Sequence, residues 1–151
     1  MVGKALVSKD YDKKNAWNKD LVHVQKELEG DDLFHTLGFL STDELVKLYN
    51  LAEALVMPSI YEGFGLPLLE AMRCGCPVIA SNGGSLPEIG GDGVLYIDCL
   101  DEKNMAEVMQ KIFNDKKLQE NLRKKGFLQA KKFTPEKTIS MTVEAYNKAV
   151  G

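Results

Sequence analysis

No run in this chain approaches the roughly 20 apolar residues that a membrane-crossing helix needs, and the N-terminus lacks an apolar signal core. A cytoplasmic location is therefore expected. Charge of one sign is also lacking: 19 Lys and Arg against 22 Asp and Glu leave a net charge of −3. That balance gives no electrostatic reason to expect a nucleic-acid partner. Cysteine is scarce and odd in number, and Cys74, Cys76 and Cys99 offer no second ligand pair at zinc spacing. Cys74-Gly-Cys76 reads instead as small residues packed at a helix-to-strand corner. The two histidines, His23 and His35, are far apart in sequence and lack metal-site spacing, and no Ser/His/Asp arrangement can be assembled. His35 lies in the apolar run Leu33-Phe-His-Thr-Leu37 and reads as a strand histidine with a satisfied ring. No metal and no resident cofactor are expected. What remains is an ordinary globular balance, 44% apolar and 27% charged, over the 151 residues of one domain.

Five segments have strand length and character, at about 4–8, 33–37, 54–57, 77–80 and 94–97. Helical patterns separate or follow them. Ser41-Thr-Asp-Glu44 forms a capping box before Leu45, Leu48 and Leu51, and Thr134-Pro135 starts the last helix with a cap and a first-turn proline. This alternation predicts an α/β fold: a Rossmann-like, doubly wound, mostly parallel sheet with C-terminal helices. From Lys111 to Lys137 nine Lys or Arg stand against three Asp or Glu. Such a stretch suits an anionic membrane surface or an acidic partner. Leu118, Leu122, Phe127 and Ala130 fall at helical spacing, however, and favour a packed helix with its basic face in water. The closing helix is amphipathic, with Ile139, Val143 and Tyr146 on one side. Trp17, in the polar segment 10–20 after the first strand candidate, either meets a ligand or packs on the following helix.

The densest chemical signal is Ser59-Ile-Tyr-Glu-Gly-Phe-Gly-Leu-Pro-Leu-Leu-Glu70. The apolar run Ala54–Met57 precedes it, Pro67 sits at a first-turn position and Gly75 marks a helix stop, so the segment reads as strand, tight loop, helix. The first turn of a helix presents unpaired N–H groups and the positive end of the macrodipole, which together favour a phosphate. Gly63 and Gly65 let a ligand approach the backbone. Glu62 in the loop and Glu70 about one turn into the helix address different parts of one extended ligand, and carboxylates suit sugar and ribose hydroxyls because they only accept. Glycine-rich turns also occur in α/β domains without any ligand, so residue types alone leave both readings open. Asn82-Gly-Gly-Ser85 is a second strand-to-helix loop at the same sheet edge, either lining that site or serving as a plain turn.

The two glutamates with seven residues between them, within Pro58-Ser-Ile-Tyr-Glu-Gly-Phe-Gly-Leu-Pro-Leu-Leu-Glu-Ala-Met-Arg-Cys-Gly-Cys-Pro-Val-Ile-Ala-Ser81, resemble the donor-binding motif of retaining glycosyltransferases of the group 1 type, which have the two-domain GT-B fold. Leu37-Gly-Phe-Leu-Ser41, Glu44-Leu-Val-Lys-Leu-Tyr49, Ser85-Leu-Pro-Glu-Ile-Gly90 and Lys131-Lys-Phe-Thr-Pro-Glu-Lys137 extend the resemblance over nearly the whole chain. It implies a UDP- or GDP-linked sugar as substrate. Glu70 would bond the ribose hydroxyls and Glu62, assigned to the catalytic centre, would hold hydroxyls of the donor sugar. Gly63, Phe64, Gly65 and Leu66 would meet sugar and diphosphate, and Phe39 and Leu40 would neighbour the base. The implied chemistry is front-face attack in which the leaving phosphate helps accept the proton, so neither glutamate is a general base.

Such enzymes are normally twice this length or more, with an N-terminal acceptor-binding domain. Lys4-Ala-Leu-Val-Ser8 resembles the second strand of the donor domain, so the first strand and the Arg and Lys that bind the diphosphate are expected to be absent. The expectation is one partial donor-nucleotide-binding domain over 1–151, inactive alone, needing an N-terminal acceptor-binding domain or chain. A missing central strand leaves sheet edges that invite self-association. The alternative is a non-catalytic nucleotide-binding or interaction module derived from such an enzyme.

Overall fold

A computed structural model describes residues 19–150, with side chains from 22 onward. The strand candidate at 4–8 and Trp17 lie outside the described residues. The chain divides into two compact units, Met1–Leu45 and Val46–Gly151.

The first unit contains helix α1 (Lys19–Glu27) and the start of α2 (Thr42–Leu51). The capping box forms as expected: the Glu44 carboxylate accepts from Ser41 N at 2.8 Å and from Ser41 Oγ at 2.7 Å, and Ser41 Oγ accepts from Glu44 N at 3.4 Å. These bonds hold the Glu44 carboxyl below its usual range. The strand expected over 33–37 is not there; within it Leu37 alone makes an isolated bridge. Asp31 explains the difference. Its carboxylate accepts from Leu33 N at 2.9 Å and its carbonyl from Phe34 N at 3.1 Å, closing a local turn that competes with an extended backbone. His35 is correspondingly exposed and outside any strand, contrary to the expectation.

The second unit runs β1 (Leu55–Met57), α3 (Leu66–Arg73), β2 (Val78–Ser81), α4 (Leu86–Gly90), a 3-10 turn (Gly91–Gly93), β3 (Val94–Ile97), α5 (Glu102–Asn114), α6 (Lys116–Ala130) and α7 (Pro135–Val150). The strands form a parallel sheet in the order β1-β2-β3, with Leu55 opposite Val78 and Val78 opposite Val94. Each successive pair is joined through helical segments, which is the connection parallel pairing requires. Every residue of β2 is buried, so both faces of the central strand are covered. Among the described residues β1 and β3 are the sheet's edges.

Local chemistry sets the helix ends. At the end of α3, Cys76 N donates to Ala71 O at 2.9 Å and Gly75 N to Met72 O at 3.1 Å, while Gly75 has φ +72°. This is a Schellman stop, and glycine suits it because the left-handed backbone costs it little. Asp101 caps α5 through Asn104 N, and Asp115 ends α5 and caps α6 through Leu118 N, each bond 2.9 Å. Ile79, Ile97, Ile112 and Leu122 form an apolar cluster with Val56, Leu95 and Met105 packed against it.

Helix α6 buries Gln119, Leu122, Gly126 and Ala130. The inner position is Gly126 rather than the expected Phe127, because the backbone of Gly93 lies so close that a Cβ there would sit 2.8 Å from Gly126 Cα. Lys116, Lys117, Arg123, Lys124 and Lys125 all face water, as the solvated-face reading predicts. Helix α7 buries none of its residues; Ile139, Met141, Val143 and Tyr146 are exposed. No helix of the described residues is long and apolar enough to cross a membrane.

Candidate functional site

Strands β1 and β2 are parallel neighbours, so the loops after them leave at the same edge of the sheet. They are joined by hydrogen bonds onto the backbone carbonyls of the first loop. Ser81 Oγ donates to the Ser59 carbonyl, and Ser85 N and Ser85 Oγ both donate to the Glu62 carbonyl at 3.1 Å. Gly83 and Gly84 lie against the Ile60 and Glu62 carbonyls so closely that a Cβ at either position would overlap them, and Gly84 has φ +58°. The Asn82–Ser85 loop therefore buttresses the Glu62 loop. The Glu62 carboxylate is itself oriented, since Ser59 Oγ donates to Oε1 at 2.9 Å. Its other oxygen has no partner among the described hydrogen bonds.

Glu62, Gly63, Phe64, Gly65 and Leu66 follow one another into α3. Gly65, at φ +93°, is buried beneath Leu86 and starts the helix. Pro67 occupies the first turn and no acidic residue does, so the positive end of the helix is uncompensated by the chain itself. The Gly65 and Leu66 amides have no partner among the described hydrogen bonds, which suits them to an anion. Glu70 is exposed one turn further along. Tyr49, reaching from α2, donates its hydroxyl to Glu70 Oε2 at 3.4 Å. Burial, reinforced by the negative charge of Glu70, pushes the Tyr49 hydroxyl up to about 12, so Tyr49 is a neutral donor at physiological pH.

Phe64 meets Phe133 edge to face, with ring centroids 6.2 Å apart at 88°. At the far end of α3, Arg73 Nη2 donates to the Phe133 carbonyl at 2.5 Å. Beside this contact lies a cavity of about 680 Å³ whose walls include Phe64, Phe133, Thr134, Lys137, Met141 and Tyr146. Among the described residues no three His, Cys, Asp or Glu side chains gather to hold a metal ion.

A strand-to-helix turn flanked by two carboxylates, with free amides between them, fits a phosphate carrying hydroxylated groups on both sides. A family profile described as "Glycosyl transferases group 1" matches residues 2–129. The chain belongs to this family.

The chain also resembles individual proteins in sequence and solved structures in fold. The chain is 42% identical over 110 residues to O-antigen chain mannosyltransferase B of Escherichia coli, covering 73% of this chain and 29% of that protein. It thus spans less than a third of that relative's length. Sucrose-phosphate synthase from Thermosynechococcus elongatus superposes with a TM-score of 0.73 at 26% identity, over 95% of this chain and 36% of the other. The C-terminal domain of the group 1 family protein LpcC from Francisella tularensis gives 0.64 at 27% identity, over 81% of this chain and 64% of the other. The α/β fold expected from the sequence is the fold these structures share with the chain.

The remaining expected site residues, Phe39 and Leu40, lie in the first unit just before α2, where Phe39 is 91% exposed. Tyr49, Ser59 and Phe133 join the site in the structure although the sequence alone does not single them out. Tyr49 carried a signal, since it stands at i+4 from Leu45 and beside Leu48 on the inward stripe of α2. A polar tip on such a stripe needs a partner.

Proposed function

We propose that this chain is the donor-nucleotide-binding half of a retaining hexosyltransferase, taking a sugar from a nucleoside diphosphate and passing it to an acceptor bound by an N-terminal domain or a separate chain. The observation that carries the reading is the placement of Glu62 and Glu70 on either side of one helix N-terminus whose first turn bears no carboxylate. In it the α3 amides meet the diphosphate, Glu70 the ribose diol and Glu62 the donor sugar, while Phe64 and Leu66 border the sugar and Phe39 and Leu40 the base. The relative most like it above is named a mannosyltransferase, so nucleotide-linked mannose is the first donor to try, with UDP and GDP as the bases.

The chain's part in the reaction is to hold the sugar and to stabilise charge developing on the leaving diphosphate with fixed N–H groups. No protein base is needed where the leaving phosphate accepts the proton. Residues 1–151 act in this proposal as one partial domain on the cytoplasmic side, without turnover alone, and the sheet edge meets either the acceptor-binding part or a second copy.

Titration calorimetry of free nucleoside diphosphate and of the matching nucleotide sugar tests the division of labour. Glu70→Ala removes charge-assisted bonds worth about 1.5–3 kcal/mol, and weakens both ligands by roughly 10- to 100-fold. Glu62→Ala leaves the free diphosphate nearly unchanged and weakens the sugar-bearing donor. Equal losses of both ligands in both variants would overturn the assignment. A wild-type chain that binds neither ligand would favour the non-catalytic interaction module.

A further inference from the structure

Glu70 sits exposed on the surface of α3, where a glutamate side chain has many rotamers to lose. Among the described side-chain hydrogen bonds one reaches it, from the hydroxyl of Tyr49 twenty-one residues earlier in the sequence. Tyr49 is itself 7% exposed and is therefore held by its surroundings rather than by its charge partner. We propose that Tyr49 is a positioning residue for the donor nucleotide, holding Glu70 Oε2 so that the carboxylate's remaining acceptor sites face the ribose 2′- and 3′-hydroxyls. The proposal rests on the reading that Glu70 meets the ribose.

The chemistry of the pair is one-directional. An ionised carboxylate accepts and never donates, and it has about four lone-pair sites. Tyr49 occupies one of them on Oε2, which leaves Oε1 and the second Oε2 site for two hydroxyls on adjacent carbons. A neutral phenol satisfies this geometry and a phenolate would repel it. Burial keeps Tyr49 neutral far above physiological pH. The 3.4 Å separation is longer than the roughly 2.7–2.8 Å of a typical O–H···O bond, so the carboxylate has room to settle between phenol and diol when the nucleotide arrives. Catalytic and binding contacts commonly tighten in this way on complex formation.

The competing account is that Tyr49 is a core residue whose hydroxyl takes the nearest acceptor. The two accounts differ in what the hydroxyl does to ribose recognition. Tyr49→Phe keeps the ring and deletes the donor, so a core role weakens every ligand alike, whereas a positioning role weakens only ligands that possess the diol. The measurement is the affinity of the full chain for UDP and GDP and for their 2′,3′-dideoxy forms, in wild type, Y49F, E70A and the double variant, with thermal melts alongside.

The expected result is a preference for the hydroxylated nucleotide in wild type, abolished in E70A and reduced about 3- to 10-fold in Y49F. Affinity of Y49F for the dideoxy form stays within about twofold of wild type, and Y49F changes nothing further in the E70A background, since the two residues act as one unit. If E70A abolishes the preference and Y49F leaves it intact, the positioning role is wrong while the ribose reading stands. Equal losses for both nucleotide forms in Y49F assign Tyr49 to packing and also overturn the proposal. If E70A itself leaves the preference unchanged, the ribose reading fails and the proposal with it.

Discussion

Gly84→Ala tests how the Glu62 loop is held in place. At φ +58° an L-residue costs about 1–2 kcal/mol relative to glycine. The new methyl would also overlap the Glu62 carbonyl oxygen, a backbone atom that cannot swing aside as a flexible side chain would. Relief requires the two loops to separate, which stretches the bonds from Ser85 N and Ser85 Oγ to that carbonyl, each worth about 0.5–1.5 kcal/mol. The expected loss of stability is about 2–4 kcal/mol, a large share of the roughly 5–15 kcal/mol that holds a domain folded. Urea unfolding with an unchanged m-value reads it directly. Gly63→Ala is the matched control one loop away, since its Cβ would meet nothing within 4 Å, and it should fall within about 0.5 kcal/mol of wild type. On the proposed assignment of Glu62 to the donor sugar, Gly84→Ala lowers the affinity for a nucleotide sugar further than that for the free diphosphate. Equal midpoints for Gly84→Ala and Gly63→Ala would refute the reasoning.

Gln119→Leu removes the donor that reaches the Ile112 carbonyl at 2.8 Å and Glu53 Oε2 at 2.9 Å from a buried side chain. Stranding that carbonyl costs about 1–3 kcal/mol by chemical denaturation, whereas Lys116→Ala, which breaks the exposed pair with Glu53 and a long 3.4 Å bond to Gln119 Oε1, costs less. Cys76 is buried and its thiol is pushed up to about 11, mainly by desolvation, while Cys74 and Cys99 are partly accessible. A thiol reagent at pH 8 therefore modifies Cys76 last, and only as the chain unfolds. Tyr49 and Cys76 both have folded values raised above their ordinary ones of 10.0 and 9.0. The unfolded chain releases these protons first, so the stability they contribute is complete below about pH 9 and is lost as pH rises from 9 towards 12. Melting temperature measured across that interval falls in wild type and falls less in Y49F.

What could be read in the sequence was what is decided within a few residues. Ser41 and Glu44 are three apart, Thr134 stands three before the Lys137 amide it accepts from, and Gly75 directly follows the helix it stops. The strand-loop-helix around Glu62 and Glu70 was legible for the same reason. The segment at 33–37 misled because apolar content suggested a strand, while the turn chemistry of Asp31 decided the backbone. Phe127 was placed inward by helical spacing alone, and spacing does not reveal that another backbone needs the space over Gly126. Tyr49 with Glu70, and Ser85 with Glu62, meet across more than twenty residues, and no local pattern reports such a meeting.

The two loops joined through Gly83 and Gly84 also define how this site can be altered. Ser59, Glu62, Gly83, Gly84 and Ser85 are held together by backbone carbonyls and by the Ser59 hydroxyl on the Glu62 carboxylate, so they act as a mould whose shape is fixed. Ile60 and Tyr61 project from the same mould at 74% and 76% exposure and carry none of its described hydrogen bonds. Variation introduced at those two positions would change what lines the loop without changing its course. A library for reshaping this loop would therefore randomise Ile60 and Tyr61 and hold the five mould residues constant.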